Sequence, residues 1–79
     1  MATRDKYRAA HGVVLERLIQ RRKALGVSQV ELALRLQTDQ SQISKFERRE
    51  RRIDVIDFAR LCRALELDPS AVLDDLPLD

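Results

Sequence analysis

Residues 40–48 carry the side chains best suited to chemistry, and that chemistry is the non-covalent reading of a nucleic-acid duplex. Gln40, Ser41, Ser44, Lys45 and Arg48 fall at i, i+1, i+4, i+5 and i+8, one face of a helix, and the face holds amides, hydroxyls and cations but no acid. A helix fits the major groove of B-form DNA, where a Gln amide can pair with adenine N6 and N7 and a Lys can reach guanine O6 and N7. Helix N-termini add backbone N–H groups and a positive dipole end for phosphates. The same residue types also suit the solvated face of a small helical domain, and the helix face alone divides the two readings evenly.

Catalytic chemistry finds no comparable cluster. His11 has no Cys, Ser or second His near it in sequence. Together with the single Cys62 it cannot make up the ligands of a structural zinc site, and one thiol forms no internal disulfide. No nucleophile with a base, no paired carboxylates and no metal set can be assembled, so neither an enzyme nor a cofactor or small-molecule substrate is expected. Cys62 falls on an apolar stripe and reads as a small core residue.

Composition sets the scale. A chain of 79 residues, 44% apolar and 35% charged, is expected to fold as one domain, residues 1–79, with little room for an enclosed cavity. Its 2 Gly and 2 Pro are too few to punctuate a sandwich or barrel. The longest early apolar run, Val13-Val14-Leu15, is too short for a signal or membrane segment, so a cytoplasmic protein without membrane contact is expected. The net charge of +2 hides an asymmetry: all 15 Lys and Arg lie in residues 1–63, which net +7, whereas residues 64–79 net −5. The basic part suits a polyanion and the acidic tail does not. With only Tyr7, Phe46 and Phe58 aromatic, base stacking on single strands is disfavoured.

Five helices must position these residues. A long first segment, about Lys6 to Leu25, has Val14, Leu18 and Leu25 on its inner face and ends at Gly26 as a C′ residue; Gly12 inside it costs about 1 kcal/mol of helix propensity. Ser28 with Glu31 is a capping box opening a helix to Leu36, and Asp39 with Gln42 repeats the pattern. Asp54 caps a fourth helix with Val55, Phe58, Leu61, Cys62 and Leu65 as its stripe, and Asp68-Pro69 opens a fifth. The second and third helices are short and joined near Gln37-Thr38, which predicts a helix-turn-helix over about residues 28–49. Leu32, Ala33, Leu36, Ile43 and Phe46 face inward there, with small Ala33 at the close approach.

The segments Leu25-Gly-Val-Ser-Gln-Val-Glu-Leu-Ala33 and Gln40-Ser-Gln-Ile-Ser-Lys-Phe-Glu-Arg48 resemble the phage-repressor, Cro and Xre family of helix-turn-helix regulators. Phe58 to Leu65 and Asp68 to Leu73 are similar to the family's fourth and fifth helices, so the likeness covers roughly residues 14–76. It implies an all-α, five-helix, lambda-repressor-like domain that binds double-stranded DNA. It also implies that Gln29 contacts a phosphate and braces Gln40, the first residue of the recognition helix, with Ser41, Ser44 and Lys45 at or beside the other base-reading positions. Arg22 and Glu47 match a partly buried ion pair joining the first helix to the recognition helix. Gln42, Arg48, Arg49, Arg51 and Arg52 fall where phosphates are gripped, and the run Arg48-Arg-Glu-Arg-Arg52 also reads as a plain solvated charge run. Arg4, Lys6 and Arg8 could serve as an arm, although a frayed helix start is the simpler reading.

Three positions depart from the family pattern. Gln37 stands where the turn usually has Gly, so it must take a strained or a non-left-handed conformation. Arg49 replaces the Gly after the recognition helix and Ile53 the Pro before helix four, which suggests a loop stiffened by charge on phosphate. A homodimer on a two-fold-symmetric operator is expected, since one such domain reads few base pairs. The acidic segment 67–79, with Val72, Leu73 and Leu76 on one stripe, is the candidate interface or simply core. A prophage-type repressor, a restriction-modification controller and a toxin-neutralising autoregulator all fit, as does a protein-interaction module that leaves the groove-facing helix unused.

Overall fold

The computed structural model describes residues 2–78, the side chains of residues 2–6 excepted. Five helices follow one another: α1 (Ala2–Ala24), α2 (Gln29–Arg35), α3 (Gln40–Glu47), α4 (Val55–Ala64) and α5 (Pro69–Leu73). Side-chain acceptors start α2 to α5. Ser28 Oγ accepts from the Glu31 N–H at 3.0 Å, and Asp39 Oδ1 accepts from the Gln42 N–H at 3.2 Å. The reciprocal half of the box expected at Ser28 does not form, because the Glu31 carboxylate turns to Arg35 at 3.0 Å, one helical turn on. At Asp54 the box is complete, with Asp57 as the returning carboxylate.

The helix ends share one device. After α1 the Gly26 N–H bonds to the Lys23 carbonyl and the Val27 N–H to the Arg22 carbonyl, the paired bonds of a Schellman motif. The same pair closes α2 at Gln37 and Thr38, α3 at Arg49 and Glu50, and α4 at Glu66 and Leu67. The motif needs a left-handed residue. Gly26 takes it at φ 70°, but Gln37, Arg49 and Glu66 take it at 57°, 64° and 52° with side chains attached. Of the two conformations open to Gln37, the turn therefore adopts the strained one, and hydrogen bonding of the chain ends outweighs a steric penalty of about 1–2 kcal/mol per residue.

The core is assembled from Leu15 and Leu18 of α1, Val27, Leu32, Ala33 and Leu36 of the α2 region, Ile43 and Phe46 of α3, Leu61, Cys62 and Leu65 at α4, and Val72 of α5. Several expectations shift by part of a turn. Leu15, 2% exposed, rather than Val14 is the core residue of α1, because Leu15, Leu18 and Arg22 share one stripe at i, i+3 and i+7. Leu25 follows the last helical residue and is 36% exposed, so the inner position one turn after Leu18 goes to the Arg22 guanidinium instead. Val55, the first residue of α4, is 75% exposed, and its stripe begins only at Phe58. α1 runs through Gly12 without a break, and the Arg49 guanidinium lies 3.1 Å from where a Cβ at that glycine would stand.

Arginines also bond helix ends to one another. Arg21 donates to the Leu65 and Glu66 carbonyls, both at 3.0 Å, at the end of α4. Arg35 donates to the Ala64 carbonyl at 2.9 Å, and Arg60 to the Leu36 carbonyl at the end of α2. Arg17 donates to the Val72 carbonyl at 2.8 Å and to that of Asp74 beyond α5. Each guanidinium meets carbonyls that helix geometry leaves without partners and that carry the negative end of the dipole.

Relieving the strain at a helix end should stabilise the domain. Glu66→Gly and Gln37→Gly are each expected to add up to about 1 kcal/mol, the steric penalty less the extra chain entropy of glycine, and so to raise Tm by about 4 °C in a domain of this size. Thermal unfolding followed by circular dichroism checks this, and an unchanged Tm for both would show that the left-handed turns carry no net strain.

Candidate nucleic-acid interface

The α2–α3 pair is fixed from inside by packing and from behind by charge. Leu32 and Ile43, 2% and 1% exposed, press the two helices together around Ala33, which at 3% exposure lets α3 approach. Fully burying such an aliphatic side chain contributes roughly 1.5–3 kcal/mol. Behind α3, Arg22 and Glu47 form a fork-to-fork pair, Nε to Oε2 at 2.7 Å and Nη2 to Oε1 at 3.0 Å, with side chains only 10% and 14% exposed. The third Arg22 donor, Nη1, reaches the Val27 carbonyl at 2.8 Å. The pair expected from the family resemblance is therefore present, and it ties α1, the α1–α2 turn and α3 together.

From this pair a chain of hydrogen bonds runs to the surface. Gln29 Nε2 donates to Glu47 Oε1 at 2.9 Å, and Gln40 Nε2 donates to Gln29 Oε1 at 3.2 Å. With its amide polarity set by Glu47, Gln29 offers only its oxygen to Gln40. Gln40, exposed at the first position of α3, is thus held through its amide nitrogen, and its own oxygen has no partner among the described residues. The brace expected at Gln29 is present in the geometry.

The other candidate readers divide. Lys45 is exposed one turn on from Ser41, whereas Ser44, one turn on from Gln40, is half-buried. The Ser41 hydroxyl donates to Asp39 Oδ1 at 2.7 Å, so it helps to build the cap of α3 while its oxygen lone pairs stay at the surface. This bond and the Gln42 N–H hold the Asp39 carboxyl below its ordinary range. The cap is thus at full strength at neutral pH and weakens only as acid protonates the carboxylate.

Candidate phosphate contacts are also sorted by the structure. Arg48 is exposed and pairs with Glu50 at 3.3 Å, a bond of little energy between solvated groups. Arg51 donates to the Gln42 side chain and lies over the Phe46 ring at 4.9 Å, so both Gln42 and Arg51 serve first to pin the loop to α3. Arg49 lies against α1 at Gly12, and Arg52 stacks over the Tyr7 ring at 4.9 Å. The loop is thus stiffened by its Schellman bonds and by stacking within the protein, not by charge on phosphate alone. Arg8 belongs to a continuous helix rather than a frayed start, and the Arg4 and Lys6 side chains lie outside the described residues.

Of the candidate interface residues, one is ruled out. Val72 is 1% exposed and belongs to the core, so it cannot line an interface; of the proposed segment, Leu73 at 48% is on the surface and Leu76 is half-buried. Cys62 is core as expected, and burial, then the neighbouring Asp68, pushes its thiol pKa up, away from reactivity. The sequence reading missed the arginines that bond helix carbonyls, and it missed His11. That side chain stacks on Tyr7 at 5.5 Å, and its Nε2 accepts from the Ile53 N–H at 3.4 Å.

Removing Glu47 leaves the Arg22 guanidinium buried without its partner. Glu47→Ala is expected to lose about 3 kcal/mol of stability, whereas Gln40→Ala, at an exposed position, changes stability by about 0.5 kcal/mol or less. Urea denaturation midpoints compare the two, and similar midpoints would remove the pair from its structural role.

A family model described as helix-turn-helix, the Cro/C1-type, matches residues 18–72, more than half of the chain. Among solved structures, an XRE-family like protein from Pseudomonas syringae pv. tomato str. DC3000 is 44% identical, with a TM-score of 0.87 over 91% of this chain and 88% of that one. No curated protein matches the chain. Among the described residues no helix is long and apolar enough to cross a membrane, and no group of His, Cys, Asp and Glu is arranged to hold a metal. The chain, all-helical with its second and third helices as the DNA-binding unit, belongs to the XRE family of helix-turn-helix transcription regulators.

Proposed function

We propose that this protein is a sequence-specific repressor in the cytoplasm, at the nucleoid, that binds a two-fold-symmetric operator as a homodimer and acts by occupying it. The observation that supports this most is the hydrogen-bonded line from the buried Arg22–Glu47 pair through Gln29 to Gln40. It presents a preorganised amide at the first turn of an acid-free helix face, where major-groove readers place their base contacts. In this reading Gln40, Ser41 and Lys45 meet base edges, with Ser44 recessed beside them. Gln29, Gln42, Arg48, Arg49, Arg51 and Arg52 hold the backbone.

One domain of this size reads too few base pairs alone, and two domains with half-sites about 34 Å apart supply the rest. The dimer surface in this reading is the apolar rim of the acidic end, Leu73, Leu76 and Leu78 with Val55 beside them. Leu73, Leu78 and Val55 are 48%, 66% and 75% exposed, and the negative charge of the segment keeps it away from the phosphates.

Selection from a random duplex pool at about 0.15 M salt is expected to enrich an inverted repeat with half-sites near one turn apart. On the selected duplex, Gln40→Ala should reduce discrimination at one base position by about 1–3 kcal/mol. Arg52→Ala should instead weaken all duplexes alike and flatten the slope of log K against log salt by about 0.9. Recovery of no motif, or identical behaviour of the two variants on every sequence, would overturn the reading and turn attention to partner proteins.

A further inference from the structure

The first helix reaches well beyond what the helix-turn-helix unit needs. The family match begins at residue 18, whereas α1 begins at Ala2. The added turns run beside the loop that follows α3, and the two segments enclose an open cavity of about 470 Å³ lined by Tyr7, Arg8, His11, Arg49 and Arg52. Among the described residues, three that bear guanidinium groups and no acid line it. Like charges gathered around one cavity repel, so something must hold them in place.

The protein supplies that hold through contacts that neutralise nothing. The Arg49 guanidinium rests on the bare backbone of Gly12, and a Cβ there would lie 3.1 Å from its Cζ and Nη1. Arg52 is set by stacking on Tyr7, and Tyr7 by its ring stack with His11 at an interplanar angle of 11°. His11 is in turn fixed by accepting the Ile53 N–H, which requires the neutral imidazole. Among the described residues neither Arg49 nor Arg52 pairs with a carboxylate. A cavity with guanidinium forks held by packing, and with an aromatic wall, is suited to a tetrahedral oxyanion.

We propose that Tyr7, Arg8, His11, Arg49 and Arg52 form a binding site for one phosphate group, made half by the extension of α1 and half by the loop after α3. The phosphate comes either from the backbone of the bound duplex, which rests on the DNA-binding function proposed above, or from a free phosphorylated small molecule. The state of His11 fits this site. Burial, then Arg49, then Arg52 hold its pKa below the ordinary imidazole value. Around it stand Tyr7 and Arg8 on α1, Arg49 and Arg52 on the loop, and Asp54 at the head of α4, which shares the adjoining apolar groove with it. A phosphate in the cavity offsets the two arginines, so its binding must raise the His11 pKa.

His11 is the single histidine of the chain, so its ring protons report on the cavity without assignment. The test titrates the whole protein with inorganic phosphate at constant ionic strength, sodium chloride making up the balance, and follows those protons by NMR. A saturable shift with a raised His11 pKa is expected. Arg8→Gln should weaken it several-fold at unchanged Tm, whereas Arg63→Gln, in a different cleft with Arg35 and Arg60, should leave it intact. Gly12→Ala should weaken it too by displacing the Arg49 guanidinium, while raising Tm through helix propensity, so loss of binding is separated from loss of fold.

Binding of a non-specific duplex then identifies the source of the phosphate. If the duplex displaces phosphate from His11, and Arg8→Gln flattens its salt slope by about 0.9, the ligand is the DNA backbone. If phosphate binds but the duplex neither displaces it nor loses slope, the ligand is a free phosphorylated molecule. No response of His11 to phosphate, or an equal response in Arg8→Gln, would overturn the site. Failure to select an operator would remove the proposed regulator and leave the phosphate result standing.

Discussion

One carboxylate holds the helix-turn-helix unit together. Glu47 lies at the end of α3, yet its two oxygens take both donors of the Arg22 fork and the amide of Gln29, so α1, α2 and α3 all converge on it. Energetically, a buried ion pair is a poor way to stabilise a small domain, because desolvation of both charges offsets most of their attraction, and an apolar pair of similar volume often does as well. An apolar pair, however, has no direction. The ionic one fixes which end of the Gln29 amide faces Gln40, and this orientation is what reaches the surface. Position, more than stability, explains why charge is kept inside a domain of 79 residues.

The helix ends tell a related story of local cost accepted for global geometry. Four Schellman closures need four left-handed residues, and only Gly26 is a glycine. At Gln37, Arg49 and Glu66 a side chain is carried through a region it disfavours. What is gained differs by site. At Gln37 the gain is the tight turn that sets α3 across α2. At Arg49 it is a guanidinium delivered to Gly12, a contact that a glycine at position 49 could not make.

Much of this was legible in the sequence, and what was not has a common cause. Caps at Ser28, Asp39, Asp54 and Asp68 follow from local hydrogen-bond chemistry, so the four short helices begin where their sequences say. The Arg22–Glu47 pair and the Gln29–Gln40 brace were reachable only through family resemblance, since residues 25 and 11 apart carry no local signal of contact. Apolar periodicity misjudged Leu25 and Val55, and it left Val72 open between interface and core, of which the structure shows core. It cannot tell a stripe residue from one just past a helix end, or one within a stripe from one at its first turn. The basic residues were hardest. A charge count treats Arg17, Arg21, Arg35 and Arg60 as solvated cations, but a guanidinium also donates to neutral carbonyls, and no acid in the sequence marks where those carbonyls will be.

Those carbonyl-bound arginines have a consequence for how the protein meets an electrolyte. A guanidinium bound to the end of a helix faces the negative pole of that helix, and the dipole offsets part of its field at close range. The +7 of residues 1–63 therefore overstates the charge that a polyanion meets at close range, because Arg17, Arg21, Arg35 and Arg60 are bound to helix ends. Counterions released on association are set by the cations whose charge faces solvent, and on α3 and the loop after it these include Lys45, Arg48, Arg49, Arg51 and Arg52. A chain whose sequence looks basic along most of its length thus gathers exposed cations on α3 and the loop after it, and a localised cluster orients a polyanion where evenly spread charge would only attract it.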